Sequence, residues 1–333
     1  MSKRFSRTFP KVSDALNGIM AVKRYTSVFN PATFKHREKK SKAFFALGIV
    51  CFFWGTTWIA SKQGVRYMPG LQLAAVRQCI AGAIYVLYFL TRKTDLPKGK
   101  EWWPILVLSF LNFMLSNALS TWGVQFISAG LGSIIGAIFP LWLVVIGLFG
   151  SRTPMSSKTM LGLALGFTGI CVIFYQHLRE FLSADFRFGI FISLVSTWSW
   201  AFGTLYTKKQ ALKFNPYFAL GWQMLISGPI VYIIASTTNN TMPLMQIPWQ
   251  SWAAIAYLVM FGSVLSFIAY LYALQILSAE KASLYAYINP IVALFAGALL
   301  FNEKLTVSIV AGVCITLYGV WMVNRAAKAV RNE

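Results

Sequence analysis

The chain has 333 residues, of which 57% are hydrophobic and 12% charged, and its mean hydropathy is +0.61. Water-soluble domains carry about 25% charged residues. Half that share, with repeated apolar runs near 20 residues, excludes an ordinary soluble enzyme and predicts an all-α polytopic membrane protein. The net charge of +21 does not point to nucleic acid: eleven of the basic residues lie in the first 42 positions and most others flank apolar runs, as membrane topology produces.

Residues 1–42 are polar and basic, with no apolar core of signal-peptide type. They read as a cytoplasmic tail that fixes orientation and touches anionic lipid, as a transit peptide, or as an artefact of start-codon choice with the chain beginning at Met20 or later. Ten spans follow, at roughly 43–62, 70–91, 103–122, 129–149, 158–176, 187–207, 215–236, 250–274, 279–301 and 306–324. They divide into two five-span units, residues 43–176 and 187–324, with 325–333 as a C-terminal tail. With the N-terminus inside, Lys and Arg split 24 inside to 5 outside, and Arg77 is left within a span. This predicts an integral protein of a bacterial inner (plasma) membrane with both termini cytoplasmic.

The two units echo each other. Sliding residues 125–169 onto 275–319 matches nine of 45 positions, among them Ser128/Ser278, Pro140/Pro290, Gly147/Gly297, Gly162/Gly312 and Gly169/Gly319. Nearer the start of each unit the offset is 146, pairing Trp54/Trp200, Lys62/Lys208 and Gly82/Gly228. Five is odd, so the second unit enters the membrane from the opposite side, giving two inverted-topology five-helix repeats. Pro140 and Pro290 fall mid-span, where a proline frees the carbonyl four residues back, at Gly136 and Ala286. They are the expected hinges, and two broken spans at matched places predict a binding site near mid-bilayer.

These residues resemble the EamA family of the drug/metabolite transporter superfamily, over essentially all of 43–324. The resemblance is carried by Trp54-Gly55 followed by Lys62, by Arg77, and by Ser278-Ala279 through Pro290 to Leu300-Phe301-Asn302-Glu303-Lys304-Leu305-Thr306, with Gly312 and Gly319. It implies ten helices in two inverted bundles around a central cavity, and export of small metabolites. The first unit departs from the pattern, with Ser151-Arg152-Thr153-Pro154 where an acidic end would stand, and Gln223 occupies the second copy of Arg77.

Candidate substrate contacts are Trp54, Arg77, Ser116, Asn117, Phe139, Trp200, Tyr287 and Asn289: aromatic walls with a few amides and hydroxyls suit an amino acid or a related amphipathic or heteroaromatic compound. Each aromatic has the competing role of lipid belt or helix packing. Arg77 either attracts a substrate carboxylate or phosphate or snorkels to the headgroups. Lys62, Lys208, Glu280 and Glu303 sit at span ends as gate residues, ion pairs or dipole caps. The glycine pairs Gly132/Gly136 and Gly162/Gly166 read as close helix packing, a dimer interface being the alternative. The four cysteines fall within apolar runs and read as packing residues.

No catalytic set, metal site or cofactor is expected, since neither histidine and no carboxylate lies mid-span. The same absence argues against a proton relay. The expected partners are a small-molecule substrate and the lipid bilayer, not nucleic acid, with the chain a monomer or weak homodimer. The expected activity is secondary transport by alternating access; a non-transporting scaffold or channel-like pore is the alternative.

Overall fold

The computed structural model describes residues 36–139, 141, 142, 145, 146, 157–175, 179–210, 215–277 and 285–332. Every regular element among them is helical. The helices are α1 (His36–Gly64), α2 (Gly70–Thr91), α3 (102–126), α4 (Ala129–Ala137), α5 (Ser157–Tyr175), α6 (Ala184–Gln210), α7 (Pro216–Thr237), α8 (249–276), α9 (Tyr285–Phe301) and α10 (Val307–Asn332). Six apolar segments, in α1, α2, α3, α6, α7 and α8, are long enough to cross a membrane, while the apolar stretches of α5, α9 and α10 are shorter.

Local sequence sets the helix starts. Asn215 caps α7 by accepting from the amides of Tyr217 and Phe218, with Pro216 in the first helical position. Ser128 caps α4 by accepting from Leu131 N. α9 runs unbroken through Pro290, so that proline removes one hydrogen bond without dividing the helix.

The irregular turns lie elsewhere. Inside α3, Ser109–Ala118 is wound as a π-helix, and inside α8 so is Leu258–Leu265. Such wide turns are rare and aim carbonyls away from the ladder. Side chains from neighbouring helices meet them. In α3, Leu111 O accepts from Ser199, Phe113 O from Gln78 and Ser116 O from Ser196. In α8, Gly262 O accepts from Trp54 Nε1, and Ser263 O and Val264 O both accept from the Tyr85 hydroxyl.

The most extensive helix pairings are α5 with α10 and α2 with α7, and glycines line both. A methyl at Gly82 would fall 2.5 Å from Leu225 N, and one at Gly228 2.5 Å from Cys79 Sγ. Across the other seam, Gly162 faces Gly319 and Gly169 faces Gly312. Each contact maps onto the other when equivalent positions are exchanged by the offset read in the sequence.

Polarity is arranged inside out. Gln72, Gln78, Arg77, Ser227 and Ser266 are buried, whereas Phe45, Leu87, Met260, Leu299 and Val307 face outward. In water such an apolar exterior would be a liability; against lipid it is the solvated face.

Candidate functional site

α1, α2, α3, α4, α6, α8 and α9, with Phe139 just beyond α4, enclose a cavity of about 160 Å³. Its aromatic wall is built around Trp54. The Trp54 ring lies 4.9 Å from Tyr285, 5.1 Å from Tyr270, 5.2 Å from Phe267 and 6.4 Å from Trp200, centroid to centroid. Phe139 stacks on Tyr285 at 5.9 Å. Trp54 is fixed because its indole N–H reaches Gly262 O in the wide turn of α8, 3.1 Å away. Trp58, one turn further along α1, lies against Gly132 and Gly136 of α4, where a methyl would approach its ring to 2.9 Å. The Gly132/Gly136 pair therefore admits an indole.

The polar wall comes from α3, α4 and α6. Asn112, Ser116, Asn117, Ser120 and Thr121 project from α3, Ser133 from α4, and Ser196 and Thr197 from α6. Asn117 Oδ1 accepts from Gln78 Nε2 at 3.2 Å, and Gln78 Oε1 accepts from Ser227 at 2.6 Å. In the amide orientation that satisfies both its atoms, Asn289 donates to Tyr285 O at 3.0 Å and Cys51 O at 2.9 Å, tying α9 to α1.

Arg77 enters the cavity from α2 and is buried. Its Nε donates to Ser263 Oγ at 3.0 Å, so it turns inward toward α8 and does not snorkel to the headgroups. Lys62 lies at the end of α1, and its Nζ donates to Val124 O at 2.8 Å and Ile127 O at 2.7 Å. These carbonyls close the C-terminal end of α3, so Lys62 caps a neighbouring helix. Glu303 caps the next helix from the other side: Ala129 N donates to Oε1 at 3.0 Å and Gly130 N to Oε2 at 3.2 Å. Lys62 and Glu303 together brace the break between α3 and α4, and Arg66 lies over the Phe301 ring at 4.2 Å.

Seven of the eight residues picked from sequence as substrate contacts line this one cavity: Trp54, Arg77, Ser116, Asn117, Phe139, Trp200 and Asn289. The eighth, Tyr287, belongs to α9, but its side chain lies outside the described residues, as does that of Lys208. Pro140 and Glu280 lie outside them entirely. Sequence reasoning did not choose Tyr285, Trp58, Phe267, Thr197 or Asn112 as contacts. Tyr285 was within reach of it, because a residue four before Asn289 shares its helix face. All four cysteines are free thiols, and among the described residues no cluster of His, Cys, Asp or Glu is placed to hold a metal.

Comparison with known proteins gives this cavity a context. The profile described as the EamA-like transporter family matches residues 41–175 and, a second time, residues 187–325. The chain belongs to the EamA-like transporter family. This EamA-family protein is 28% identical over 291 residues to the uncharacterized transporter YvbV of Bacillus subtilis, covering 87% of this chain and 94% of that one. It is 29% identical over 269 residues to the uncharacterized inner membrane transporter YedA of Escherichia coli K12, covering 79% and 83%. An uncharacterized transporter of Archaeoglobus fulgidus is 24% identical over 289 residues, covering 85% and 99%. A solved crystal structure shares the fold, with a TM-score of 0.61 at 13% identity, over 85% of this chain and 97% of the other. The protein is thus an integral membrane protein of a transporter family, with its aromatic cavity enclosed by helices from both matched segments.

Proposed function

We propose that the protein is a secondary transporter of a bacterial inner membrane that exports small organic metabolites by alternating access. Its substrates are amino acids or related amphipathic or heteroaromatic compounds. The observation that carries this reading is the central cavity, walled by aromatics on one side and by amides and hydroxyls on the other. Ten spans in two inverted units fit the double family match, the odd span number and the way glycine contacts exchange across both seams. The Lys and Arg bias puts both termini in the cytoplasm. In that frame Lys62 and Glu303 hold the outer end, and Lys208 and Glu280 serve the inner one. Pro140 and Pro290 give the inner ends of their helices room to bend. No Asp, Glu or His is among the described lining residues, so substrate moves downhill or by exchange.

The test is transport by purified protein in liposomes. Replacing Trp54 or Asn289 by alanine lowers the initial rate about tenfold or more, the size of loss that follows removal of a positioning contact. Wild type keeps its rate when an imposed pH gradient is collapsed. Equal rates in all three proteins would remove both residues from the substrate path, and a rate that dies with the gradient would replace exchange by proton coupling.

A further inference from the structure

Arg77 is the one charged side chain among the described residues that line the cavity, and only 5% of it is exposed. Its Nε is engaged by Ser263 Oγ. Its two terminal nitrogens make no hydrogen bond to any described residue, and no carboxylate lies among the described lining residues. Gly262 keeps that end of the fork uncovered: a methyl there would fall 2.9 Å from Nη2 and 2.8 Å from Thr57 Cγ2. A guanidinium held in a low-dielectric interior without a counter-charge is strongly disfavoured unless something pairs with it.

We propose that Arg77 is the anchor for a single carboxylate on the transported compound, which docks end-on against the two terminal nitrogens. This rests on the cavity being the substrate site. One guanidinium balances one negative charge and matches a carboxylate in a two-pronged contact. A phosphate carries nearly two charges at neutral pH, against the single cationic side chain among the described lining residues. The hydroxyl wall makes the selection sharper. Ser133, Ser196 and Thr197 donate their protons to Gly130 O, Ser116 O and Ser193 O respectively. What these hydroxyls offer the cavity is lone pairs, which welcome an N–H or O–H group and repel a second carboxylate. The volume, about 160 Å³, takes on the order of ten water-sized centres. The favoured ligand is therefore a monocarboxylate of about ten non-hydrogen atoms, whose remaining polar group, where it has one, is a donor.

Benzoate and benzamide test this directly, because they match in shape and differ in charge. Binding to the purified full-length protein is read from quenching of tryptophan fluorescence, with Trp54 and Trp200 as reporters, and from the shift in Tm. Benzoate binds wild type about tenfold or more tighter than benzamide, the margin a charge-assisted pair supplies. Arg77→Gln erases that margin, while Arg77→Lys keeps part of it. Inorganic phosphate does not displace benzoate. Equal binding of benzoate and benzamide by wild type overturns the proposal without recourse to any variant, and so does displacement by phosphate. Flux that depends on Trp54 and Asn289 but shows no preference for carboxylates removes the anchor and keeps the transporter. Benzoate selectivity in a protein that moves nothing across liposomes does the reverse.

Discussion

Asn302 ends α9 with φ of 55°, in the left-handed region, and the amide of Glu303 then reaches back to Gly297 O at 3.2 Å. This is a helix stop of the kind glycine usually provides, with asparagine as the common substitute. The stop swings the Glu303 side chain over Gly297, where a methyl would lie 2.6 Å from its carboxylate, and across to the start of α4. There the carboxylate meets two amides at the positive end of a helix, an arrangement worth about 0.3–1 kcal/mol exposed and up to about 2 kcal/mol partly buried. Glu303→Gln removes the charge and one acceptor, so Tm falls by a few degrees. Asn302→Gly leaves Tm where it is, and Asn302→Val lowers it, because a β-branched residue resists that φ. Thermal unfolding of the purified variants decides this; a Glu303→Gln protein as stable as wild type would mean the cap is idle. Arg77 shows the same dependence of role on surroundings, since a guanidinium early in an apolar span acquires its direction only from Ser263, 186 residues away in the chain.

At the scale of elements, the glycine seams and the wide turns divide the labour. The seams bring backbones together: Gly319 faces the backbone of Gly162 and Gly166, so an added side chain there has no flexible neighbour to displace. Gly319→Leu drives α5 and α10 apart and abolishes the folded peak in size-exclusion chromatography. Gly48 has nothing within 4 Å of an added methyl, and Gly48→Leu is tolerated. Equal yields of the two variants would show that the seam bears no load. Much of this was readable from sequence. Gly162, Gly169, Gly312 and Gly319 stood out by their offset, and Trp54, Trp200, Arg77 and Asn289 by being polar or aromatic at matched or mid-span places. The wide turns were not. A π turn in α3 or α8 depends on whether Ser196, Ser199, Gln78, Trp54 and Tyr85 arrive to satisfy its carbonyls, and those partners come from other helices. Sequence reasoning therefore assigned the irregularity to the prolines, whereas α9 passes through Pro290 intact. Tyr287 stood out in the sequence by its nearness to Pro290, whereas Tyr285 reaches Trp54 and Phe139 only through the way α9 packs on its neighbours.

For the molecule as a whole, the decisive quantity is the orientation of one matched segment relative to the other. Under the proposed inverted arrangement, residues 150–158 belong on the cytoplasmic face and 302–305 on the opposite one. A cysteine introduced at Arg152 is labelled by a membrane-impermeant maleimide only after the cells are opened, while one at Lys304 is labelled in intact cells. Labelling of both from the same side would rule out an inverted repeat, whatever the cavity binds. The brace at the Lys62 end has a further consequence. Glu303 holds two amides of α4, but the position 150 residues earlier is Thr153, which carries no carboxylate to hold the start of α9 in return. Under the proposed cycle, opening the outer end means breaking the two contacts that Glu303 makes to α4, so any change that loosens this cap eases that opening.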